Sequence, residues 1–166
     1  DDAVCLEELP NGGERLWVAI ADVSHYVRPG TALDAEAVLR GTSVYFPDRA
    51  IPMLPERLSN ELCSLKPRRD RLVMVACIEY DRRGAISGSR FLRGVIRSHA
   101  RLTYTQVAAV LSETTTPQIA AWRTELEPLL PQLARMRVLM RRLLAQRLAN
   151  GSLDLDFPEN KIRLDE

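Results

Sequence analysis

The junction Pro-Asn-Gly-Gly-Glu, set between residues 3–9 (AVCLEEL) and residues 15–22 (RLWVAIAD), constrains the fold more than any other stretch. Both flanking segments are apolar and rich in residues that favour extended backbone. An Asn-Gly pair tolerates positive φ at both turn positions, so the two segments are expected to fold back on each other as an antiparallel hairpin. A second hairpin is predicted from "RLVMVACIEY" and "AISGSRFLRGVIRS", joined by "DRRG". The remaining signals are helical. In "TALDAEAVLRG", Thr31 and Asp34 stand at capping-box spacing and Gly41 is placed to end a short helix. Pro55 can open a helix that carries Leu58, Leu62 and Leu65 on one face. Thr103 and Gln106 repeat the capping spacing, with Val107, Val110 and Leu111 facing inward. A long helix is predicted from Pro131 to Asn150, its apolar stripe made of Leu133, Met136, Met140, Leu143, Leu144 and Leu148, with Asn150-Gly151 as the stop. Asn150-Gly151-Ser152 also fits the glycosylation pattern, but helix termination accounts for the same residues.

Strands and helices alternate without a βαβ rhythm and no segment repeats. The expected class is therefore α+β, a mixed, largely antiparallel sheet with flanking helices. Residues 46–55, which contain Pro47 and Pro52 and end at Pro55, are expected to form an irregular loop, since each proline fixes φ and removes a donor. A loop of that length invites a functional explanation.

No apolar run reaches the roughly 18 residues that cross a bilayer, which excludes a helical membrane span. Basic residues total 23 against 22 acidic ones, so net charge gives no general argument for a polyanionic partner. Lys66 and Lys161 are the only lysines. The arginine bias suits phosphate recognition but more often reflects a GC-rich genome. Arg135, Arg137, Arg141, Arg142 and Arg147 on the last helix read as a solvated face or as an RNA-contacting one. Cys5, Cys63 and Cys77 lack metal-binding spacing and are expected to be reduced, buried thiols of a cytoplasmic protein. The absence of an initiating Met and of a leader suggests an internal segment.

Two constellations invite chemistry. "ADVSH" collects Asp22, Ser24 and His25, but neighbours on a strand point to opposite faces, which argues against a hydrolase triad. His99 stands alone and reads as a hydrogen-bonded structural residue. Asp1 and Asp2 begin the chain directly before the first strand. They are either a solvated end or hard oxygen ligands of the kind Mg²⁺ requires. Two consecutive carboxylates can share one ion only where the backbone bends.

Read together, "DDAV", the unbroken segment from Ile20 to Pro67, "SHARLTYTQV" and "GSLDLDFPENKIRLDE" closely resemble the catalytic RNB domain of the ribonuclease II and ribonuclease R family, with the ribonuclease R branch nearer. The resemblance implies that residues 1–166 are part of a single RNB-like catalytic domain, truncated at both ends. The family's metal-binding pattern is D-x5-D-x-D-D, and Asp1 and Asp2 match its third and fourth aspartates. By resemblance Asp2 is a direct Mg²⁺ ligand, with Mn²⁺ able to substitute. Asp1 is a catalytic carboxylate that positions the metal or the attacking water. Tyr45 matches the tyrosine that stacks on a nucleotide near the 3′ end, and a second aromatic falls near Leu155 or Phe157. The activity implied is processive 3′→5′ hydrolysis of single-stranded RNA to nucleoside 5′-monophosphates. The full-length protein would carry flanking oligonucleotide-binding domains and a downstream Arg and Glu, and the fragment alone is expected to be inactive. The alternative is a noncatalytic RNA-binding or regulatory relative that keeps the fold. Without the resemblance, Tyr45 would read as a core strand residue.

Overall fold

The computed structural model describes residues 2–153; Asp1 and residues 154–166, with Leu155 and Phe157, lie outside the described residues. The first hairpin forms as expected, from β1 (Ala3–Glu8) and β2 (Glu14–Ala21), paired from Ala3 with Ala19 to Glu8 with Glu14. The turn differs in detail. Pro10 holds φ negative, Gly12 alone in the turn has positive φ (78°), and Gly12 N–H donates to the Leu9 carbonyl at 2.8 Å. The Asn11 side chain closes the turn by accepting from Gly13 N–H at 2.9 Å. The second hairpin comprises β5 (Asp70–Tyr80) and β6 (Ile86–Arg97), whose turn is tied by Asp81 Oδ1 accepting from the amides of Arg83 and Ala85.

The two hairpins join into one antiparallel sheet in the order β1-β2-β5-β6, because β2 pairs with β5 from Glu14 opposite Tyr80 to Ala21 opposite Val73. Alternation along these strands gives each face its own core. On one face Leu6, Leu16, Ile78 and Tyr80 pack against Met136, Leu139 and Leu143 of the long helix α5 (Leu130–Ala149). On the other, Ala19, Val73 and Val75 pack with Trp17, Leu65, Leu92 and Ile96.

Between β2 and β5 the chain carries α1 (Val23–Tyr26), α2 (Ala32–Arg40), and a minimal hairpin of β3 (Val44–Tyr45) and β4 (Ala50–Ile51). The expected loop over residues 46–55 is thus interrupted by a strand, held by Phe46 N–H donating to the Arg49 carbonyl at 2.7 Å. Thr31 caps α2 by accepting from the Asp34 amide, whereas Asp34 turns to the Gly30 amide rather than closing the box. The helix expected after Pro55 is a wide π-helical turn, Arg57–Leu62, in which Cys63 N–H reaches the Leu58 carbonyl at 2.8 Å. Leu58 is buried and Leu65 meets the core, but Leu62 points outward.

Beyond β6, α3 (Tyr104–Val110) is capped by Thr103 as expected, and Val110 is buried. Sequence reading missed α4 (Pro117–Glu125), although Thr116 before Pro117 is a start signal: its hydroxyl oxygen accepts from Ile119 N–H, and Pro117 occupies the first turn. Arg123 then fixes the α3–α4 connection by donating to the carbonyls of Val110 and Ser112. At the end of α5, Gly151 has φ 88°, its amide donates to Leu148 and the Ser152 amide to Arg147, a Schellman arrangement.

The stripe of α5 is not the one its periodicity suggested. Leu139 is buried, while Met140, Leu144 and Leu148 are exposed. The helix is apolar on more than one side, and the sheet selects the seam Met136-Leu139-Leu143. Three of its arginines are exposed, as the solvated-face reading expected: Arg141, Arg147 and Arg135, which pairs with Glu8 at 2.8 Å; Arg142 and Arg137 are half-buried, Arg142 pairing with Glu14 at 2.9 Å and Arg137 donating to the Leu111 carbonyl. Of the cysteines Cys77 is buried and Cys63 partly so, but Cys5 is exposed. His99 is exposed and makes no side-chain hydrogen bond among the described residues, so it is not the structural residue expected.

The seam yields a prediction. Leu139→Ala should lower unfolding free energy in urea by about 2–5 kcal/mol, the usual loss for a buried leucine. Met140→Ala, by contrast, should stay within about 0.5 kcal/mol.

Candidate functional site

The end of the sheet where β1 begins and β2 ends opens into a cleft of about 500 Å³. Asp2 directly precedes the Ala3–Ala19 pair that opens the ladder, and Asp2 and Ile20 both line the cleft. The far wall comes from the long connection: Tyr45 and Ala50 of the β3–β4 hairpin, and Glu56, Ser59, Asn60 and Cys63 of the π-helical turn. Such turns recur at functional sites because the extra residue re-aims side chains. Here it sends Ser59, Asn60 and Cys63 to the cleft while Leu58 stays buried.

The structure therefore brings together Asp2 and Tyr45, which sequence reading singled out separately. Asp1 lies outside the described residues. Tyr45 is 79% exposed, which removes its reading as a core strand residue. Its ring is available to pack on something else. Phe46 beside it is covered by the Arg49 guanidinium, 5.3 Å from its ring centre.

The Asp2 carboxylate is exposed and makes no ion pair or hydrogen bond among the described residues. Glu56, Ser43, Ser59 and Asn60 add further oxygen atoms around the cleft. This donor set is hard and oxygen-only apart from the Cys63 thiol, which suits Mg²⁺ rather than zinc. Burial pushes that thiol above its ordinary pKa, against the opposing pull of Arg71. Among the described residues no group of three or more His, Cys, Asp or Glu is assembled for a metal. A complete shell needs ligands from outside them.

Asp22, Ser24 and His25 do not form a triad. Asp22 is buried, accepts from Ser24 Oγ at 2.6 Å and forms an ion pair with Arg93, Nε lying 3.2 Å from its carboxylate, and Arg93 donates to Ser24 Oγ at 3.0 Å. His25 instead sets its ring edge-on to Tyr26 at 5.0 Å. With the Asp22 amide donating to the Leu72 carbonyl, the network locks the end of β2 against β5 and β6. It thereby fixes the wall made by Ile20, Ala21 and Val23. Sequence reading missed this role because Arg93 lies far along the chain.

Comparison with known proteins finds the RNB domain family over residues 1–166. Ribonuclease R of Vibrio cholerae is 47% identical over 161 residues, covering 97% of this chain and 19% of that protein. Ribonuclease R of Escherichia coli is 60% identical over 111 residues, covering 67% of this chain and 14% of that protein. The chain thus spans less than a quarter of the length of these relatives. Among solved structures, Mycoplasma genitalium RNase R in complex with ribose methylated single-stranded RNA superposes with a TM-score of 0.84 at 36% identity, covering 99% of this chain and 25% of that one. Yeast Ssd1, a pseudonuclease, superposes with a TM-score of 0.73 over 90% of this chain and 17% of that one, at 20% identity, a likeness of fold alone. No helix among the described residues is long and apolar enough to cross a membrane.

Arg93→Ala would leave the buried Asp22 carboxylate with Ser24 as its one side-chain partner. It should lower stability by about 1–3 kcal/mol, the usual cost of taking a partner away from a buried polar group, measured by urea unfolding. Arg101→Ala, an exposed arginine with no ion pair or hydrogen bond among the described residues, is the control and should change stability by under about 0.5 kcal/mol.

Proposed function

The chain belongs to the RNB domain family, and on that footing we propose that it is part of a processive 3′→5′ exoribonuclease that hydrolyses single-stranded RNA to nucleoside 5′-monophosphates with Mg²⁺. One observation carries the reading: Asp2 and Tyr45, distant in sequence, line the same cleft, one as an uncommitted carboxylate and the other as an exposed ring. Its volume lies within the usual range of about 300–1,000 Å³ for ligand sites.

Asp2 would hold the ion, together with Asp1 and with carboxylates from the rest of the full-length protein. When bound, Mg²⁺ polarises the phosphoryl oxygen, lowers the pKa of the attacking water and stabilises the leaving 3′ oxygen. Asp1, next along the backbone, positions the ion or the attacking water. The Tyr45 ring stacks on a base near the 3′ end, and because every base has a flat face, the contact is indifferent to sequence. Ile20, Ala21 and Val23 form the apolar wall. RNA bound in the similar RNase R complex supports RNA as the partner, and the small share of the relatives that the chain spans supports flanking domains in the full-length protein. The likeness to Ssd1 keeps a noncatalytic RNA-binding relative as the alternative, but the 47% and 60% identities to ribonuclease R favour the enzyme.

In the full-length protein, Asp2→Asn removes the charge that binds the ion and should reduce nucleotide release on the order of 10³-fold. Near-normal turnover would remove Asp2 from the metal site. A noncatalytic relative would bind RNA and release no nucleotide at any Mg²⁺ concentration.

Tyr45→Ala should weaken binding of short RNA about 5- to 150-fold, the loss of one base–aromatic stack. It should alter the length of the final undigested fragment, and leave the melting temperature and the Mg²⁺ requirement unchanged. An unchanged end product would withdraw the stacking role.

A further inference from the structure

Within the cleft, most polar side chains either have an intramolecular partner or can act in one sense only. Ser43 Oγ accepts from Met53 N–H at 3.0 Å, and Ser59 Oγ donates to the Pro55 carbonyl. The carboxylates of Asp2 and Glu56 can only accept. Asn60 is different. Its carboxamide is exposed on the cleft, makes no hydrogen bond among the described residues, and offers donors and an acceptor on one neutral group.

Three features narrow what such a group meets in a bound RNA. Phosphate oxygens only accept, so they would use half of the carboxamide. They are also drawn to cations, and the cleft lining contains no Lys or Arg. Base edges do offer donors and acceptors, but an enzyme that steps through any sequence gains nothing from reading them. The ribose 2′-hydroxyl both donates and accepts, is present at every step, and separates RNA from DNA. The π-helical turn holds Asn60 on the wall that also carries Ser59 and Cys63, anchored from behind by buried Leu58, so the carboxamide sits on a supported element.

We propose that the Asn60 carboxamide recognises a ribose 2′-hydroxyl of the RNA in this cleft, and so contributes to the choice of RNA over DNA; the assignment rests on the exoribonuclease reading above.

The test uses the full-length protein and a set of short RNA oligomers, each with a single 2′-deoxy substitution at one of the last few nucleotides. Dissociation constants are measured without Mg²⁺ and nucleotide release is followed in parallel. The unmodified protein should bind one member of the set about 5- to 10-fold more weakly than the all-ribose oligomer, as expected for one hydrogen bond. Asn60→Ala should remove that difference and leave the rest of the set unaffected. Asn60→Asp, which can still accept from a hydroxyl, should weaken every oligomer but keep most of the ratio. The melting temperature of both variants should match the parent. Overturning results are an unchanged ratio in Asn60→Ala, or an equal loss with all-ribose and deoxy oligomers, which is the signature of a phosphate contact. If the ratio behaves as stated but the parent releases no nucleotide, the hydroxyl assignment stands and the exoribonuclease reading falls.

Discussion

The antiparallel pairing of β2 with β5 is the constraint on which the rest of the structure depends. It closes the long connection over residues 22–69, which supplies every residue of the cleft lining apart from Asp2 itself and Ile20 and Ala21 at the end of β2. Closing so long a loop costs only logarithmically more than closing a short one. The cost is offset where the two strands meet, by burial of Ala19, Val73 and Val75 and by the Asp22–Arg93–Ser24 network at the sheet's end. Once β2 and β5 are in register, Tyr45 and the π-helical turn have one place to go, across from the start of β1.

The two ends of the sheet are built for different tasks. At the hairpin end α5 packs Leu139 onto Leu6 and Tyr80, and Arg135 and Arg142 pair with Glu8 and Glu14, so apolar and charged groups alike are satisfied within the fold. At the opposite end the carboxylates of Asp2 and Glu56, the Asn60 carboxamide and the Tyr45 ring are left without partners among the described residues. Arginines pair with carboxylates at both ends, Arg135 and Arg142 at the first and Arg93 with Asp22 behind the cleft wall, but the lining of the cleft itself contains none. An RNA phosphate approaching those carboxylates meets like charge, so the reading of the cleft as a place for RNA requires a cation between them.

Much of this was legible because it is written in local chemistry. Gly12 in the first turn, Thr31 and Thr103 as caps and Gly151 as a stop each act on backbone within a few residues, and each sits where its chemistry placed it. Non-local choices were not legible. Periodicity alone assigned Met140, Leu144 and Leu148 to the seam of α5, but a helix apolar on several sides is oriented by its partners, and those are strands far back in the chain. Tyr45 looked like a core residue because its neighbours favour strand, yet a two-residue strand in a minimal hairpin has no sheet to bury it. Asp2 was recognisable as more than a solvated end only through resemblance to a family, since its counterparts across the cleft are brought there by tertiary structure. Arg93 gave no signal at all.

The central claim is that the ion binds in this cleft, beside Asp2. Replacing Mg²⁺ with Fe²⁺ in the full-length protein and generating hydroxyl radicals at the bound iron tests it directly, since backbone is cut only close to the metal. Cuts are expected at the start of β1, at the end of β2 near Ile20 and Val23, near Tyr45, and in the π-helical turn around Asn60, all suppressed by excess Mg²⁺. Cuts clustered elsewhere, or a pattern indifferent to competing Mg²⁺, would contradict the account.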